Sequence, residues 1–432
     1  MAILNQKSAG FGRSLSLGWF LAYRQVRRSS FATTGLIVFV MTLTFLNLVV
    51  VRGVLVGLIQ GSTDVYKKYY AGDIIVSTLP KKDFIENSTN IENIISSMPW
   101  VEYSSPRYTK GGSIEAEYKT KLKETDAKNI ANGLITGINP DRENETTHLS
   151  SKIIEGSYLT NSDSDSILIG STLLKKYTPV EAPGLALLER VSVGDTVRMT
   201  INGNTKEVIV KGILRTKVGQ VDARIFMLDS TLRTLIGRTD YNVGEIAIKL
   251  LPGTDVFLVK SALLKSGVGE TARVQTADEA LPSFLIDIKN TFGILGNVVG
   301  SIGLVVASIT IFIVIFINAI TRRKYIGILK GIGINSNVIE ISYILQSIFY
   351  AGLGIAFGLL ILYGVLVPFV NAHPIKFPFS DGILVAEVSS TMIRAALLMI
   401  ATLIAGYIPA RIVVKENTLD AILGRMNTKP TK

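Results

Sequence analysis

Four long apolar stretches punctuate the chain, and a large polar insert separates the first from the second. Residues 31–51, 291–321 and 341–372 carry no charge, and a shorter uncharged run, residues 395–410, lies between Arg394 and Arg411. About 20 apolar residues in a helix cross the hydrocarbon layer, so the first three runs suffice alone. The fourth gains length if Arg394 and Arg411 reach toward opposite headgroup layers. The pattern predicts an α-helical membrane protein with four transmembrane helices, at residues 31–60, 286–321, 339–369 and 389–411. A large mixed α/β extracytoplasmic domain, residues 61–285, is inserted between helices 1 and 2.

Before the first span, Leu15, Trp19, Tyr23 and Val26 recur at three- or four-residue spacing, with Arg13, Arg24, Arg27 and Arg28 around them. That is the pattern of a helix lying in the membrane interface, and residues 1–30 are assigned to it. No cleaved leader is expected, because the first apolar run starts late and exceeds the hydrophobic core of a secretory signal. Within the insert, period-two and period-3.6 segments alternate. Asp73 to Thr78 reads as a strand and Asp83 to Ser97 as a helix. Val101 to Lys121 reads as two strands turning near Gly111-Gly112. Val197, Met199 and Ile201, the turn Asn202-Gly203-Asn204, and then Val208 and Val210 make the clearest hairpin. Strand–helix alternation continues to Gln275, and a β-rich lobe is expected from about residue 139 to 241.

Charge then orients the chain. Residues 52–289 hold 29 basic and 29 acidic side chains. The whole net charge of +11 resides in the N-terminal segment, the connector after the second span and the C-terminal tail. Basic flanks stay on the cytoplasmic side, which puts both termini inside and the insert outside. Residues 322–338 and the tail, 412–432, are thus cytoplasmic, and 370–388 form an outer connector. A nucleic-acid partner is excluded, since the insert has no basic excess. There is no cysteine, so neither disulfides nor thiolate chemistry enter.

Catalytic signals are missing. No Gly-Lys pair occurs, so no Walker A loop is present, and the two histidines, His148 and His373, stand in separate connectors. Asn161-Ser162-Asp163-Ser164-Asp165 has the start of a calcium loop without its glycine or terminal glutamate, and reads as a solvated loop. No metal or bound cofactor is expected. Near the outer ends of the first two spans, Gly53, Gly57 and Gly61 recur every four residues, as do Gly296 and Gly300. That spacing suits close helix packing, either in a stalk that passes motion outward or simply within the bundle.

The most specific segment follows the second span. Arg322-Arg323-Lys324-Tyr325-Ile326-Gly327-Ile328-Leu329-Lys330-Gly331-Ile332-Gly333 resembles the connector of MacB/FtsX-like permeases of ABC transporters, in which R-x-x-E-I-G-[IV]-L-[KR]-A-[IL]-G precedes a glutamine-containing span. Tyr325 stands at the usual acidic position and Gly331 at the usual alanine; Gln346 matches the glutamine. Pro409-Ala410-Arg411 and Asn417-Thr418-Leu419-Asp420-Ala421-Ile422 resemble the family's ending, with Thr418 in place of its proline. Leu21 to Arg28 resembles its opening.

The resemblance implies a permease subunit, not itself an enzyme, that pairs with a second copy or paralogue and with separate ATP-binding cassette subunits, which would bind ATP and magnesium. Residues Tyr325, Ile326, Gly327, Ile328, Leu329, Lys330, Gly331, Ile332 and Gly333 would form the coupling helix, worked by mechanotransmission. It also implies a prokaryotic cytoplasmic membrane, a periplasmic or extracellular insert, and export or extraction of a hydrophobic, lipoprotein, peptide or drug-like substrate. The alternative is an FtsX-like regulator that activates a cell-wall hydrolase or senses a peptide through an extracytoplasmic partner. A short helix with an apolar face and a cationic stem suits a groove on a soluble partner whatever its family.

Overall fold

The structure is a computed structural model that describes residues 2–28, 30–119, 129–178, 186–373 and 384–415; side chains before residue 15 and at 33 are not placed. In chain order the helices and strands begin with α1 (Ala2–Arg27), α2 (Phe31–Tyr66), a π-helical turn (Lys67–Ala71), β1 (Ile74–Thr78), α3 (Ser88–Ser97), β2 (Val101–Glu115), β3 (Ile130–Ile138) and α4 (Pro140–Thr147). Then come β4 (Ile153–Gly156), β5 (Ser166–Gly170), β6 (Thr196–Ile201), β7 (Asn204–Leu214), α5 (Gly219–Asp222), β8 (Arg224–Leu228), α6 (Asp229–Ile236), β9 (Glu245–Leu250), α7 (Val256–Lys265), α8 (Val268–Thr271) and β10 (Ala272–Thr276). The chain closes with α9 (Ser283–Thr321), α10 (Arg323–Gly331), α11 (Ser336–Ile361), a second π turn (Leu362–Leu366), α12 (Val367–Ala372) and α13 (Val388–Val414).

Two units result. One holds the helices of the apolar runs, residues 1–58, 288–375 and 382–432; the other is the α/β insert. Among the described residues, four helices are long and apolar enough to cross a membrane: Thr34–Ala71, Ser283–Thr321, Ser336–Ala372 and Val388–Val414. The fourth does not stop at its arginines. It runs 27 residues, about 40 Å, and inside it Arg394 folds back one turn to donate to the Ser390 carbonyl (2.9 Å) and hydroxyl (2.8 Å). Their shared core stacks Met41, Phe45 and Val49 of α2 against Ala307, Ile311 and Ile315 of α9, Tyr343 and Tyr350 of α11, and Leu398 of α13.

The α/β unit is built on a ten-stranded sheet ordered β10-β1-β9-β2-β3-β8-β5-β7-β4, with β6 pairing β2 and β7. Among the described strand pairs only β3–β8 and β5–β7 are parallel. The anticipated hairpin over Val101 to Lys121 is instead one 15-residue strand. Gly111-Gly112 is no turn: Gly112 lets β2 lie flat where any side chain would strike Ile135 and the Thr200 carbonyl. The first half of β2 pairs β9 and the second half pairs β3. The β-rich lobe therefore begins on β2 near Tyr108, rather than near residue 139, because β2 and β3 carry its edge. The β6–β7 hairpin turns at Asn202-Gly203, both residues at positive φ (50° and 83°), which only a short polar side chain and a glycine accept readily.

Each lobe has its own apolar core. Ile74, Val76, Ile246 and Ile248 alternate inward from β1 and β9 against Ile91 and Ile95 of α3 and Val259 and Leu263 of α7. Ile135, Ile167, Val197, Met199, Val208, Val210 and Ile225 fill the second.

At the midpoint of β2 sits a buried ion cluster. Arg107 donates bidentately to Glu143 (Nε to Oε2 and Nη2 to Oε1, both 2.7 Å) and through Nη1 to Glu245 (3.2 Å). Arg224 donates to the same Glu245 oxygen (2.6 Å), and the Tyr70 hydroxyl to the other (2.7 Å). Burial works against the Glu245 charge, but Arg224 and Arg107, with hydrogen bonds from Arg224 and Tyr70, outweigh it and hold the carboxyl at about 2. Two guanidinium and two carboxylate groups give no net charge, which is what makes such burial tolerable.

Candidate functional site

Between α9 and α11 the chain must reverse direction in a few residues. It does so with a nine-residue helix, α10, whose end is closed by backbone donation from Ile332 to Ile328, Gly333 to Lys330 and Ile334 to Leu329. Gly333 takes φ +91°, a conformation that excludes a side chain and frees Asn335 to cap the next helix at the Asn337 amide. Lys330 Nζ donates to the Val414 carbonyl at the end of α13 (2.9 Å), where a cation satisfies a terminal acceptor.

The helix has two distinct faces. Ile326 and Leu329 are 2% and 7% exposed and belong to the bundle core with Ile339, Val413 and Val414, and Gly327 is buried beside them. Tyr325, Ile328 and Ile332 are 49%, 52% and 71% exposed, at spacings of three and four. Gly331 and Gly333 are exposed with open space around them. The nine candidate residues thus divide into an anchor, a cationic tie and an apolar outward face with no partner in the chain among the described residues. Leu329 is an anchor, so a charge there would unseat the helix before it disturbed anything docked on it.

The packing glycines divide too. Gly53 lies against the segment before α13: an added methyl would come within 2.9 Å of the Val385 carbonyl, whose amide donates to the Gly53 carbonyl (3.1 Å). Gly57 is buried, and Gly61 half-buried. Gly296 and Gly300 face Leu55 and Leu48 of α2 at ordinary contact distance or slightly closer. The tightest crossings lie elsewhere. A methyl at Gly354 would overlap Met41, one at Gly358 would overlap Phe45, and one at Gly406 would overlap Ser347. Gly354 and Gly358 show the same four-residue spacing on the third span, so a signal was present in the sequence. Polar ties are sparse: buried Gln346 donates to buried Gln25 of α1, and exposed Arg52 Nη1 to Asn297 (3.0 Å).

The acidic loop is neutralised internally. Asp163 accepts from the Thr160 amide and hydroxyl (2.6 Å each) and pairs with Lys211, while Asp165 pairs with Lys206 (2.8 Å). Among the described residues, no three His, Cys, Asp or Glu side chains gather as a metal site. The closing motif from Asn417 lies outside the described residues.

Comparison with known proteins bears on the same region. The FtsX-like permease C-terminal family matches residues 297–418, the stretch that contains α10. An uncharacterized ABC transporter permease of Methanocaldococcus jannaschii is 27% identical over 261 residues, covering 58% of this chain and 63% of that protein. The ABC transporter permease YtrF of Bacillus subtilis is 27% identical over 214 residues, covering 46% and 48%. The chain thus spans less than two thirds of the length of these curated relatives. Among solved structures, the periplasmic region of MacB from Actinobacillus actinomycetemcomitans aligns over 48% of this chain and 88% of its own, at 17% identity and a TM-score of 0.33. The extracellular domain of the Gram-positive transporter YknZ aligns over 47% and 99%, at 15% identity and a TM-score of 0.31.

Proposed function

We propose that this chain is a MacB/FtsX-like permease, the membrane subunit of an ABC transporter driven by a partner protein. A separate ATP-binding cassette subunit, carrying ATP and magnesium, docks on the outward face of α10. Closure of two such subunits pushes α10, and the push enters the bundle through Ile326 and Leu329. Stiff helices then move the α/β domain, which handles a hydrophobic or amphipathic substrate at or beyond the far surface. A second permease copy or paralogue completes the assembly, with both termini and α10 in the cytoplasm.

The observation that carries this reading is the division of labour on α10. Its inner face is locked into the helical core, while Tyr325, Ile328 and Ile332 present an apolar stripe that no described residue covers. A helix bound only to lipid would not need such an anchor. Ile328→Asp is expected to reduce co-purification with the cognate ATP-binding subunit about tenfold or more while leaving the bundle folded, as burying an unpaired charge in an interface would. Undiminished co-purification and ATPase stimulation in that variant would remove α10 as the docking element.

A further inference from the structure

Beside α10, three arginines converge on a cavity of about 230 Å³ lined by Leu21, Arg24, Gln25, Arg28, Arg322 and Tyr325. None of the six is acidic, and among the described residues no carboxylate pairs with Arg24, Arg28 or Arg322. In the α/β unit several arginines are matched: Arg107 and Arg224 to Glu143 and Glu245, Arg198 to Glu115, Arg238 to Asp240. Three guanidinium groups lining one hollow, with no carboxylate partner among the described residues, favour an anion there. Gln25, 8% exposed, contributes a polar wall already fixed by its bond with Gln346.

The helix that supplies half the lining also shows where the anion comes from. On α1, Leu17, Trp19, Phe20 and Tyr23 are each more than half exposed, an aromatic and aliphatic surface suited to the headgroup–acyl boundary. Arg24 follows those anchors on the same helix and Arg28 lies just past its end, at the depth where lipid phosphates lie if α1 rests in the interface. Basic pockets between helices at that level hold anionic headgroups.

We propose that this cavity binds the phosphate of an anionic phospholipid, with Arg24, Arg28 and Arg322 as ligands and Tyr325 at its rim. The site goes beyond the transport reading and needs only that α1 lie in the membrane interface. Tyr325 belongs also to the outward face of α10, so an occupied site braces the docking helix from one side.

The test is native mass spectrometry of the full chain in detergent with equimolar phosphatidylglycerol and phosphatidylcholine. Wild type is expected to retain phosphatidylglycerol roughly fivefold or more over phosphatidylcholine, the triple variant R24Q/R28Q/R322Q near parity, and Arg411→Gln, a basic residue outside the cavity, the wild-type ratio. Should the triple variant not fold, Arg322→Gln alone is expected to lose at least about half of the preference. Millimolar inorganic phosphate should leave the lipid in place. Equal retention of both lipids, an unchanged ratio in the folded triple or single variant, or displacement by phosphate alone overturns the proposal. Ile328→Asp separates the two readings: it should keep the lipid preference whether or not docking survives.

Discussion

The two units of this protein are held together by opposite means. The helical unit relies on shape. Its hydroxyls mostly bond back to their own helix, as Thr42 does to Val38 and Thr402 to Leu398, and its closest contacts are glycines pressed on Met41, Phe45 and Ser347. The α/β unit relies on a hydrogen-bonded sheet with a charged knot at its centre, where Arg107, Arg224 and Glu245 of three strands and Glu143 of α4 pair with one another. Apolar burial offers little net drive between helices in lipid, so close fit must do the work there. An aqueous domain has that drive in its cores and can use buried charge to fix how its strands meet.

The difference can be broken from either side. Arg107→Ala strands Glu143 in the interior, and is expected to lower the stability of the α/β unit by about 3–5 kcal/mol. Limited proteolysis of the full chain should then show cleavage within residues 74–276 and leave the bundle intact. Gly406→Leu forces α13 away from Ser347 and should cost about 1–3 kcal/mol, the usual range for overpacking. Here the bundle should loosen in thermal unfolding while the sheet persists.

Acid should act on one unit only. The Glu245 carboxyl titrates near 2 when folded against an ordinary value of 4.5, so its contribution is complete above 4.5 and is lost as pH falls through about 2. Circular dichroism between pH 5 and 2 should record melting of sheet before helix; helix melting first would contradict the assignment. The smallest effect belongs to the surface. Lys82→Ala removes an exposed i,i+4 pair with Glu86 and should leave the unfolding midpoint unchanged.

These contrasts also explain what the sequence disclosed. Uncharged runs revealed the four spanning helices because lipid tolerates little else, and Asn202-Gly203 revealed its hairpin because few residues accept that turn. Strand β2 was misread because Gly111-Gly112 signals a turn locally, whereas the reason for Gly112 is Ile135 on the neighbouring strand, invisible without the fold. The charged knot left no trace at all: Arg107, Glu143, Arg224 and Glu245 share no spacing. On α10 the residues were legible as a group, but which of Ile328 and Leu329 looks outward depended on where α13 ends. The arginine cavity brings together residues 24, 28 and 322, and only the first two are neighbours.

Strand β2 has a mechanical implication. One backbone is hydrogen-bonded to β9 along its first half and to β3 along its second, so tension between the lobes would run lengthwise along this strand. Parting the lobes would require many ladder bonds to slide at once rather than open one after another. A load placed on the β6–β7 hairpin is therefore resisted in shear, the direction in which a sheet yields last.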